Sequence, residues 1–408
     1  MPRVLTTLLL AMALGRLGFS TLFADQWSYL REDIPGSAVA NTRRIDESIF
    51  VHQMPLNETN GDPKLRPLRF PTVEQRVRHY MGDWYDTVDH IRFSRNNTHV
   101  VLETGLVLDG AVEMDRLFVG TEINLHHCSR RPNLRSYCQD ASSLLVAHNL
   151  SAPLLLHFGD GKKCKERGVI EVPHWRKFRA VTSKDPQPIV AKWRVERHFG
   201  LVPRVAEYDV PWAAKEDRAV FRGSLSGVMR DGYDAKASDA VNCRRSRRCG
   251  LVLQYANSSL VDARLSKTLD RVANEVDGIH LTGNKLLWHE QLRYKAIVVV
   301  EGNDVASGLK WALASQSIVL TAPPTYTSWA MEDMLMPWVH YVPLNSELTN
   351  IEERMQWVID HDVEAQLIAQ RGTLWMHDLM ESDDDEVQHR MLERYQALFA
   401  EVEVDELF

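Results

Sequence analysis

The stretch that decides the fold is residues 294–343, which read YKAIVVVEGNDVASGLKWALASQSIVLTAPPTYTSWAMEDMLMPWVHYVP. Its apolar, β-branched run at residues 297–300 is typical of a strand covered on both faces. Gly302, Asn303 and Asp304 interrupt this run, and residues 305–315 then carry apolar side chains at helical spacing. A second apolar run follows at residues 318–320. The stretch therefore predicts a strand–helix–strand unit of an α/β protein.

The loop between the first strand and the helix is the part of this unit that suits a ligand. Open α/β sheets bind ligands at the carboxyl ends of their strands. Free backbone N–H groups and the helix dipole favour an anion there, most often a phosphate. Ordinary α/β framework shows the same pattern, so the loop by itself leaves both interpretations open.

Length and composition narrow the class of protein. With 408 residues, of which 44% are hydrophobic and 25% charged, the chain is long enough for two domains with their own cores. The formal net charge of −7 argues against a nucleic-acid partner. A basic cluster at residues 244–248 is the local exception. It fits either an exposed loop of solvated charge or a contact for an acidic acceptor.

The N-terminus has the layout of a secretory signal. Arg3 precedes an apolar run at residues 4–14, and a candidate cleavage site follows Ala24. A signal-anchor over residues 4–23 stays open, and membrane contact is predicted only if that segment is uncleaved. We therefore expect the chain in the lumen of the ER or Golgi, either secreted or anchored by its N-terminus.

An oxidising compartment predicts disulfide bonds. Five cysteines leave one unpaired: Cys128 with Cys138 and Cys243 with Cys249 form the closest local pairs, which leaves Cys164 free. The spacing of cysteine and histidine residues does not suggest zinc. Sequons that permit N-glycosylation begin at Asn57, Asn96, Asn149 and Asn257.

Strand and helix patterns alternate in two halves of the chain. An apolar run at residues 154–158 leads into Asp160, and another at 220–221 leads into Arg222, while residues 251–255 are predicted as a further strand. This alternation predicts two Rossmann-like domains facing across a cleft. The predicted segments are a signal or signal-anchor (1–24), an irregular arm (25–75), an N-terminal domain (76–210), a C-terminal domain (211–380), and a final helix and tail (381–408).

Several short motifs in the same order resemble glycosyltransferase family 90. They are Phe221-Arg222-Gly223-Ser224, Tyr294-Lys295, the segment from Glu301 to Ser307, Leu309-Lys310-Trp311, Leu313-Ala314-Ser315 and the segment from His340 to Pro343. The family includes Rumi-type protein O-glucosyltransferases, capsule-associated xylosyltransferases and lipopolysaccharide-modifying enzymes. The resemblance covers residues 150–380 and implies a GT-B arrangement, with the donor on the C-terminal domain and the acceptor on the N-terminal one.

The resemblance implies an inverting glycosyltransferase that uses a UDP-sugar. The donor sugar is xylose or glucose, and the acceptor is a hydroxyl of a glycan or glycoprotein. Because no D-x-D element stands in the expected donor loop, neither a metal nor another cofactor is predicted. An alternative is a nucleotide- or glycan-binding protein of the same fold without turnover. Gly308, which stands where the Rumi branch has an arginine, keeps this alternative open.

Asp160 is the predicted general base. It follows a strand of the N-terminal half, where a carboxylate can project into the cleft, and it lies where the family has its catalytic aspartate. The alternative is a turn aspartate that caps its own backbone, which is common in Gly-Asp-Gly.

The predicted donor site lies in the C-terminal half. Departure of a diphosphate needs cations or aligned dipoles. Lys310 is the cation nearest to Gly308, although it could equally be a solvated lysine, and Glu332 is a candidate for the ribose hydroxyls or an ordinary surface glutamate. Asp304 either caps the helix or meets the hydroxyls of the donor sugar. The other predicted donor residues are Arg222, Ser224, Arg230, Gly302, Asn303, Val305, Ala306 and Ser307.

Overall fold

The computed structural model describes residues 70–407, apart from 88–90, 96–98, 114–115, 149, 161–171, 183–186, 228–231, 269–273 and 284–285. The strands, numbered in chain order, are β1 Ile91–Arg95, β2 His99–Leu102, β3 Val107–Asp109, β4 Leu117–Val119, β5 Leu155–His157, β6 Trp175–Arg176, β7 Phe178–Ala180, β8 Ile189–Val190, β9 Glu216–Ser224, β10 Val261–Lys267, β11 Glu275–Val276, β12 Ile279–His280, β13 Tyr294–Val299, β14 Ile318–Thr321, β15 Tyr326–Ser328, β16 Val342–Pro343 and β17 Phe399–Glu401. The helices are α1 Val73–Met81, α2 Glu122–Cys128, α3 Arg135–Ala147, α4 Val195–Phe199, α5 Val205–Tyr208, α6 Asp239–Arg245, α7 Arg247–Gln254, α8 Trp288–Gln291, α9 Gly308–Leu313, α10 Ile351–Asp360, α11 Asp362–Met380 and α12 Asp384–Gln396.

A five-stranded parallel sheet forms the centre of the C-terminal half. Its strand order is β10-β9-β13-β14-β16, and β13 lies parallel to both β9 and β14. The apolar side chains of β13 and β14 are buried, as expected for strands covered on both faces. This confirms the predicted strand–helix–strand unit, with Ala296 opposite Ile318 in the register.

The helix of this unit begins later than its sequence pattern indicated. Helix α9 starts at Gly308, with Ser307 as its N-cap, so the prediction of a helix from residue 305 was wrong. Val305 does not lie on the helix because it packs against Phe178 and Tyr326 in a separate apolar cluster. Residues 302–307 therefore form an open loop between β13 and α9.

The N-terminal half contains two four-stranded sheets. In one, β4 lies antiparallel to β5, and β5, β6 and β8 run parallel. In the other, the last strand of the chain, β17, pairs in parallel with β1, and helix α12 packs against helix α1. Arg76 on α1 forms an ion pair with Asp384 at the start of α12, so the end of the chain returns to its N-terminal half.

A two-stranded antiparallel sheet joins the two halves of the described chain. Strand β7, from the N-terminal half, pairs with β15 from the C-terminal half, with Phe178 opposite Ser328. This pairing places Lys177, the residue before β7, in contact with Asp304 in the loop after β13. The fold is therefore a mixed α/β fold with several sheets, while the GT-B arrangement and the domain boundaries stay predictions.

Two further sequence predictions have clear outcomes. The predicted strand at residues 251–255 was wrong, because residues 251–254 belong to helix α7 and Tyr255 follows its end. The buried positions Cys249, Val252 and Tyr255 recur at helical spacing, which a short apolar run conceals. The disulfides Cys128–Cys138 and Cys243–Cys249 are both present, whereas Cys164 lies outside the described residues.

The surface features of the sequence are only partly described. The basic cluster 244–248 spans the end of α6 and the start of α7 instead of an exposed loop, and Arg244 forms an ion pair with Asp277. Asn257 is exposed, while the other three sequons, the signal segment and most of the predicted arm lie outside the described residues. Within the described part of the chain, no helix has the length and apolar character needed to cross a bilayer.

Candidate functional site

A cleft of about 410 Å³ lies at the carboxyl ends of β9 and β13. The end of β9 supplies Arg222 and Ser224, and Asp160 lines the same cleft from the loop after β5. Most of the predicted site residues are therefore brought together. The lining includes Asp160, Arg222, Ser224, Gly302, Asn303, Asp304, Val305, Ala306 and Ser307.

Two loops of the parallel sheet, those after β9 and β13, pack closely against each other in the cleft. The side-chain oxygen of Asn303 accepts a hydrogen bond of 3.0 Å from the backbone N–H of Gly227. Gly227 has a φ of 85°, a conformation that glycine adopts without strain. A side chain at Gly302 would collide with the hydroxyl of Ser226. The glycines thus allow an approach between the loops that larger residues would prevent.

Arg248 holds these two loops from the back of the cleft. Its guanidinium donates hydrogen bonds to the backbone oxygen of Ser224 at 2.7 Å and to the hydroxyl of Ser226 at 2.8 Å. It also donates to the backbone oxygen of Val300 at the end of β13. One arginine of the predicted basic cluster therefore turns into the cleft and fixes the spacing between both strand ends.

Arg222 reaches the cleft from β9 but is firmly held. Its guanidinium makes two hydrogen bonds of 2.9 Å to the carboxylate of Asp262, which also accepts one of 3.1 Å from the hydroxyl of Tyr294. Burial alone would raise the pKa of Asp262, but the bonds from Arg222 outweigh it and the pKa is lowered. Arg222 therefore lines the cleft with its guanidinium held by Asp262.

Asp160 lies at the boundary between the two halves of the chain. Its carboxylate pairs with the ammonium of Lys177, lies 4.0 Å from the guanidinium of Arg194, and accepts a long hydrogen bond of 3.5 Å from the hydroxyl of Tyr137. The side chain is 37% exposed, so a molecule in the cleft can reach it. Asp160 is thus an ionised carboxylate that lines the same cleft as these loops.

Lys177 is a residue of the candidate site that the sequence did not predict. Only 4% of its side chain is exposed, and its ammonium contacts both Asp160 and, at 2.8 Å, the carboxylate of Asp304. Buried lysines are rare unless they are paired. The only local signal is a lysine between the aromatic residues Trp175 and Phe178. Its partner Asp304 could not be recognised without the pairing of β7 with β15.

Asp304 does not cap helix α9, because the N-cap of that helix is Ser307. Its side chain is 8% exposed and points toward Lys177. Burial raises the pKa of Asp304 to about 6, since the lowering effect of Lys177 is partly cancelled by the nearby charge of Asp160. The capping interpretation was therefore wrong, while contact with the donor sugar stays a prediction.

The pKa values of Asp160 and Lys177 shift in opposite directions. Burial alone would raise the pKa of Asp160, but Lys177, followed by Arg194 and Arg197, lowers it. Burial alone would lower the pKa of Lys177, but Asp304 and Asp160 raise it, so the ammonium stays charged. Lys177 thus keeps Asp160 ionised and shares its charge with a second, weaker acid.

Lys310 and Glu332 do not belong to the described lining of the cleft. The ammonium of Lys310 pairs with Glu332, and the two side chains are 0% and 2% exposed. The carboxylate of Glu332 also accepts a hydrogen bond of 2.7 Å from the backbone N–H of Ser328. The two predicted donor residues therefore hold each other in the core. Arg230 lies outside the described residues.

Lys310 does not line the cleft, but other cationic and aromatic side chains do. Arg197 on α4 is exposed at the cleft, and Arg248 also lines it. Trp288 and Trp311 meet at the rim with ring centroids 6.1 Å apart, and such faces can stack on a sugar or a base. Among the described residues, no group of three or more histidine, cysteine, aspartate or glutamate side chains is arranged to hold a metal ion.

The comparison with known families gives the class of protein and then the family. The match is to glycosyltransferases, and the model of glycosyl transferase family 90 covers residues 202–405, which is half of the chain. The chain belongs to glycosyl transferase family 90. The match includes β9, the loop 302–307 and helix α9, which contribute to the cleft.

Three relatives show how far the similarity extends. The O-glucosyltransferase LpsA of Dichelobacter nodosus is 27% identical over 258 residues, which are 62% of this chain and 68% of that protein. Human protein O-glucosyltransferase 1 is 26% identical over 48% of this chain and 44% of its own length. Protein O-glucosyltransferase 2 of Danio rerio is 33% identical over 31% of this chain and 25% of its own length. The chain thus spans less than half the length of both protein O-glucosyltransferases.

Proposed function

We propose that the chain moves a sugar from a UDP-sugar to a hydroxyl of a glycan or glycoprotein, with inversion at the anomeric carbon. Glucose is the first candidate because the three relatives are named O-glucosyltransferases. Xylose is the second, since the sequence motifs also resemble capsule-associated xylosyltransferases. The observation that carries the proposal is the position of Asp160, which faces the paired glycine loops across one cleft.

The donor is proposed to lie along the ends of β9 and β13. Ser224 and the backbone of residues 302–307 line this side, where the N–H groups of a glycine-containing loop can bind an anion. Arg248 and Arg197 supply positive charge to the cleft. These two arginines are proposed to take the role that the sequence suggested for Lys310. Trp288 and Trp311 are placed to stack on the base or the sugar.

Asp160 is proposed as the general base. The acceptor oxygen forms a bond to the anomeric carbon while its proton moves to the carboxylate of Asp160. The bond from the anomeric carbon to the diphosphate oxygen breaks, and UDP leaves with the electron pair. Cations and aligned N–H groups stabilise that charge as it develops. We propose that no metal is needed.

The proposed setting is the lumen of the secretory pathway, with a GT-B arrangement of the two halves. The N-terminal apolar run and two disulfides support an oxidising compartment. The five-stranded parallel sheet and the smaller mixed sheet, with Asp160 and the donor loops between them, support a two-domain cleft.

A donor screen tests the proposal. Purified chain is incubated with UDP-glucose, UDP-xylose and other UDP-sugars, alone and with glycan and glycoprotein acceptors, and free UDP and product are measured. We expect release of UDP with one of the first two donors, faster with an acceptor. Tight binding of UDP without turnover of any donor would instead support the alternative of an inactive binding protein.

A further inference from the structure

Three charged side chains from three separate segments meet beside the proposed base. Lys177 lies between β6 and β7, Asp160 follows β5, and Asp304 follows β13. The ammonium of Lys177 contacts both carboxylates, but the side chain of Asp160 is 37% exposed and that of Asp304 only 8%. Both carboxylates line the cleft, but that of Asp160 is open to it and that of Asp304 is nearly buried.

The remaining titratable and charged neighbours of this cluster lie on α3, on α4 and at the residue before α4. Tyr137 lies with its ring 5.9 Å from the ammonium of Lys177, and the guanidinium of Arg194 stacks on the same ring at 5.0 Å. Arg197 is close enough to lower the pKa of Asp160. Burial lowers the pKa of His198 well below its usual value, so this histidine is neutral and contributes no charge. Asp304 therefore supplies the second negative charge in contact with Lys177.

We propose that Asp304 and Lys177 are positioning residues that set the basicity of Asp160, with Asp304 balancing the charge of Lys177 once Asp160 has accepted the proton of the acceptor hydroxyl. This inference rests on the proposed role of Asp160 as base. It differs from contact with the donor sugar, because Asp304 acts through Lys177 and touches no substrate.

The charge balance gives the physical reason. Before transfer, the two carboxylates and one ammonium carry a net charge of −1. After Asp160 accepts the proton, the net charge is zero, and Lys177 still has a partner in Asp304. If Asp304 were neutral, the same step would leave Lys177 with its charge unbalanced in a buried position, which is costly. Ionised Asp304 therefore makes Asp160 the better proton acceptor.

The inference predicts how the rate depends on pH. Burial raises the pKa of Asp304 to about 6, so its carboxylate is ionised above that pH and becomes neutral as the pH falls through it. The maximal rate should therefore decline below about pH 6. The fraction of ionised Asp160 changes at lower pH, because its own pKa is lowered.

The test compares pH profiles of kcat and donor KM for the full chain and for Asp304→Asn, which keeps the shape of the side chain. We expect kcat of the variant at pH 7.5 to fall about tenfold, corresponding to a shift of about one pKa unit at the base. The decline near pH 6 should disappear, and donor KM should stay within about twofold. A rise in donor KM with unchanged kcat would overturn the inference and support contact with the donor sugar.

A second pair of variants tests the lysine. Lys177→Met should move the acid limb of kcat/KM up by about 1 to 3 pH units, because only the weaker effects of Arg194 and Arg197 then oppose the burial of Asp160. Lys177→Arg, which keeps the charge, should restore most of the profile. Circular dichroism and UDP affinity verify the fold of each variant.

The outcomes separate this inference from the proposed function. Absence of sugar transfer by the unmodified chain would overturn both. Transfer by the unmodified chain, with an unchanged rate and profile in Asp304→Asn, would overturn only the role of Asp304 and Lys177.

Discussion

Two buried lysines in this protein have similar ion pairs but different surroundings. Lys310 pairs with Glu332, and both side chains are sealed in the core at 0% and 2% exposure. Lys177 is nearly as buried, but it contacts two carboxylates, one of which is 37% exposed at the cleft. The Lys310–Glu332 pair, here called the closed pair, is sealed from solvent and supports the fold. The cluster of Lys177, Asp160 and Asp304, here called the open cluster, has one carboxylate at the cleft and can exchange a proton. The difference lies in what surrounds the lysines.

The largest expected effect comes from the open cluster. Asp160→Asn removes the proposed proton acceptor and should reduce transfer by about 10²- to 10⁴-fold, the usual contribution of a general base. Lys177 keeps Asp304 as a partner, so the fold and UDP affinity should change little. Transfer assays and UDP titration measure the two effects. More than a tenth of the original rate in the variant would remove Asp160 as the base.

The same kind of change in the closed pair should act on stability. Lys310→Met leaves the carboxylate of Glu332 buried without its cation, which typically costs about 3 to 5 kcal/mol of unfolding free energy. UDP affinity of the folded variant should stay within about twofold, because Lys310 does not belong to the described lining of the cleft. Urea unfolding and UDP titration measure both quantities.

The double variant Lys310→Met/Glu332→Gln is the matched control, since it removes both charges together. It should regain much of the lost unfolding free energy. A loss of UDP affinity above tenfold with unchanged stability in Lys310→Met would contradict the structural role of the Lys310–Glu332 pair. It would return Lys310 to the donor role suggested by the sequence.

The arginines of the basic cluster offer a smaller and more local comparison. Arg248 holds the backbone at the ends of β9 and β13, whereas Arg244, on the neighbouring helix, pairs with the exposed Asp277. Arg248→Ala should weaken UDP binding by about tenfold, because it removes charge-assisted hydrogen bonds. Arg244→Ala should leave binding within about twofold. Equal effects from both variants would show that only overall charge matters.

The sequence predicted the parts of the site that depend on local pattern. The unit formed by β13, α9 and β14 and both disulfides follow from periodicity and short spacing. The start of α9 was misplaced because Val305 packs against β7 and β15 instead of continuing the helix. The partners of Lys177 and Lys310 could not be predicted, because strand pairing and packing between distant segments determine which carboxylate each ammonium meets.

The smallest expected effect concerns metal, and it follows from the open cluster. Asp160 and Asp304 are the carboxylates that line the described cleft, and both already share the charge of Lys177. A divalent cation there would lie close to the ammonium of Lys177, and the repulsion between the two positive charges disfavours its binding. EDTA should therefore leave the rate of transfer within about 20% of its value, since Arg197 and Arg248 are the proposed cations for the diphosphate. The measurement is UDP release before and after chelation, with manganese added back. Loss of activity restored by manganese would mean that a metal ion binds to Asp160 and Asp304 in place of the ammonium of Lys177. The difference between this cluster and the Lys310–Glu332 pair would then come from the metal ion and not from the surroundings of the lysine.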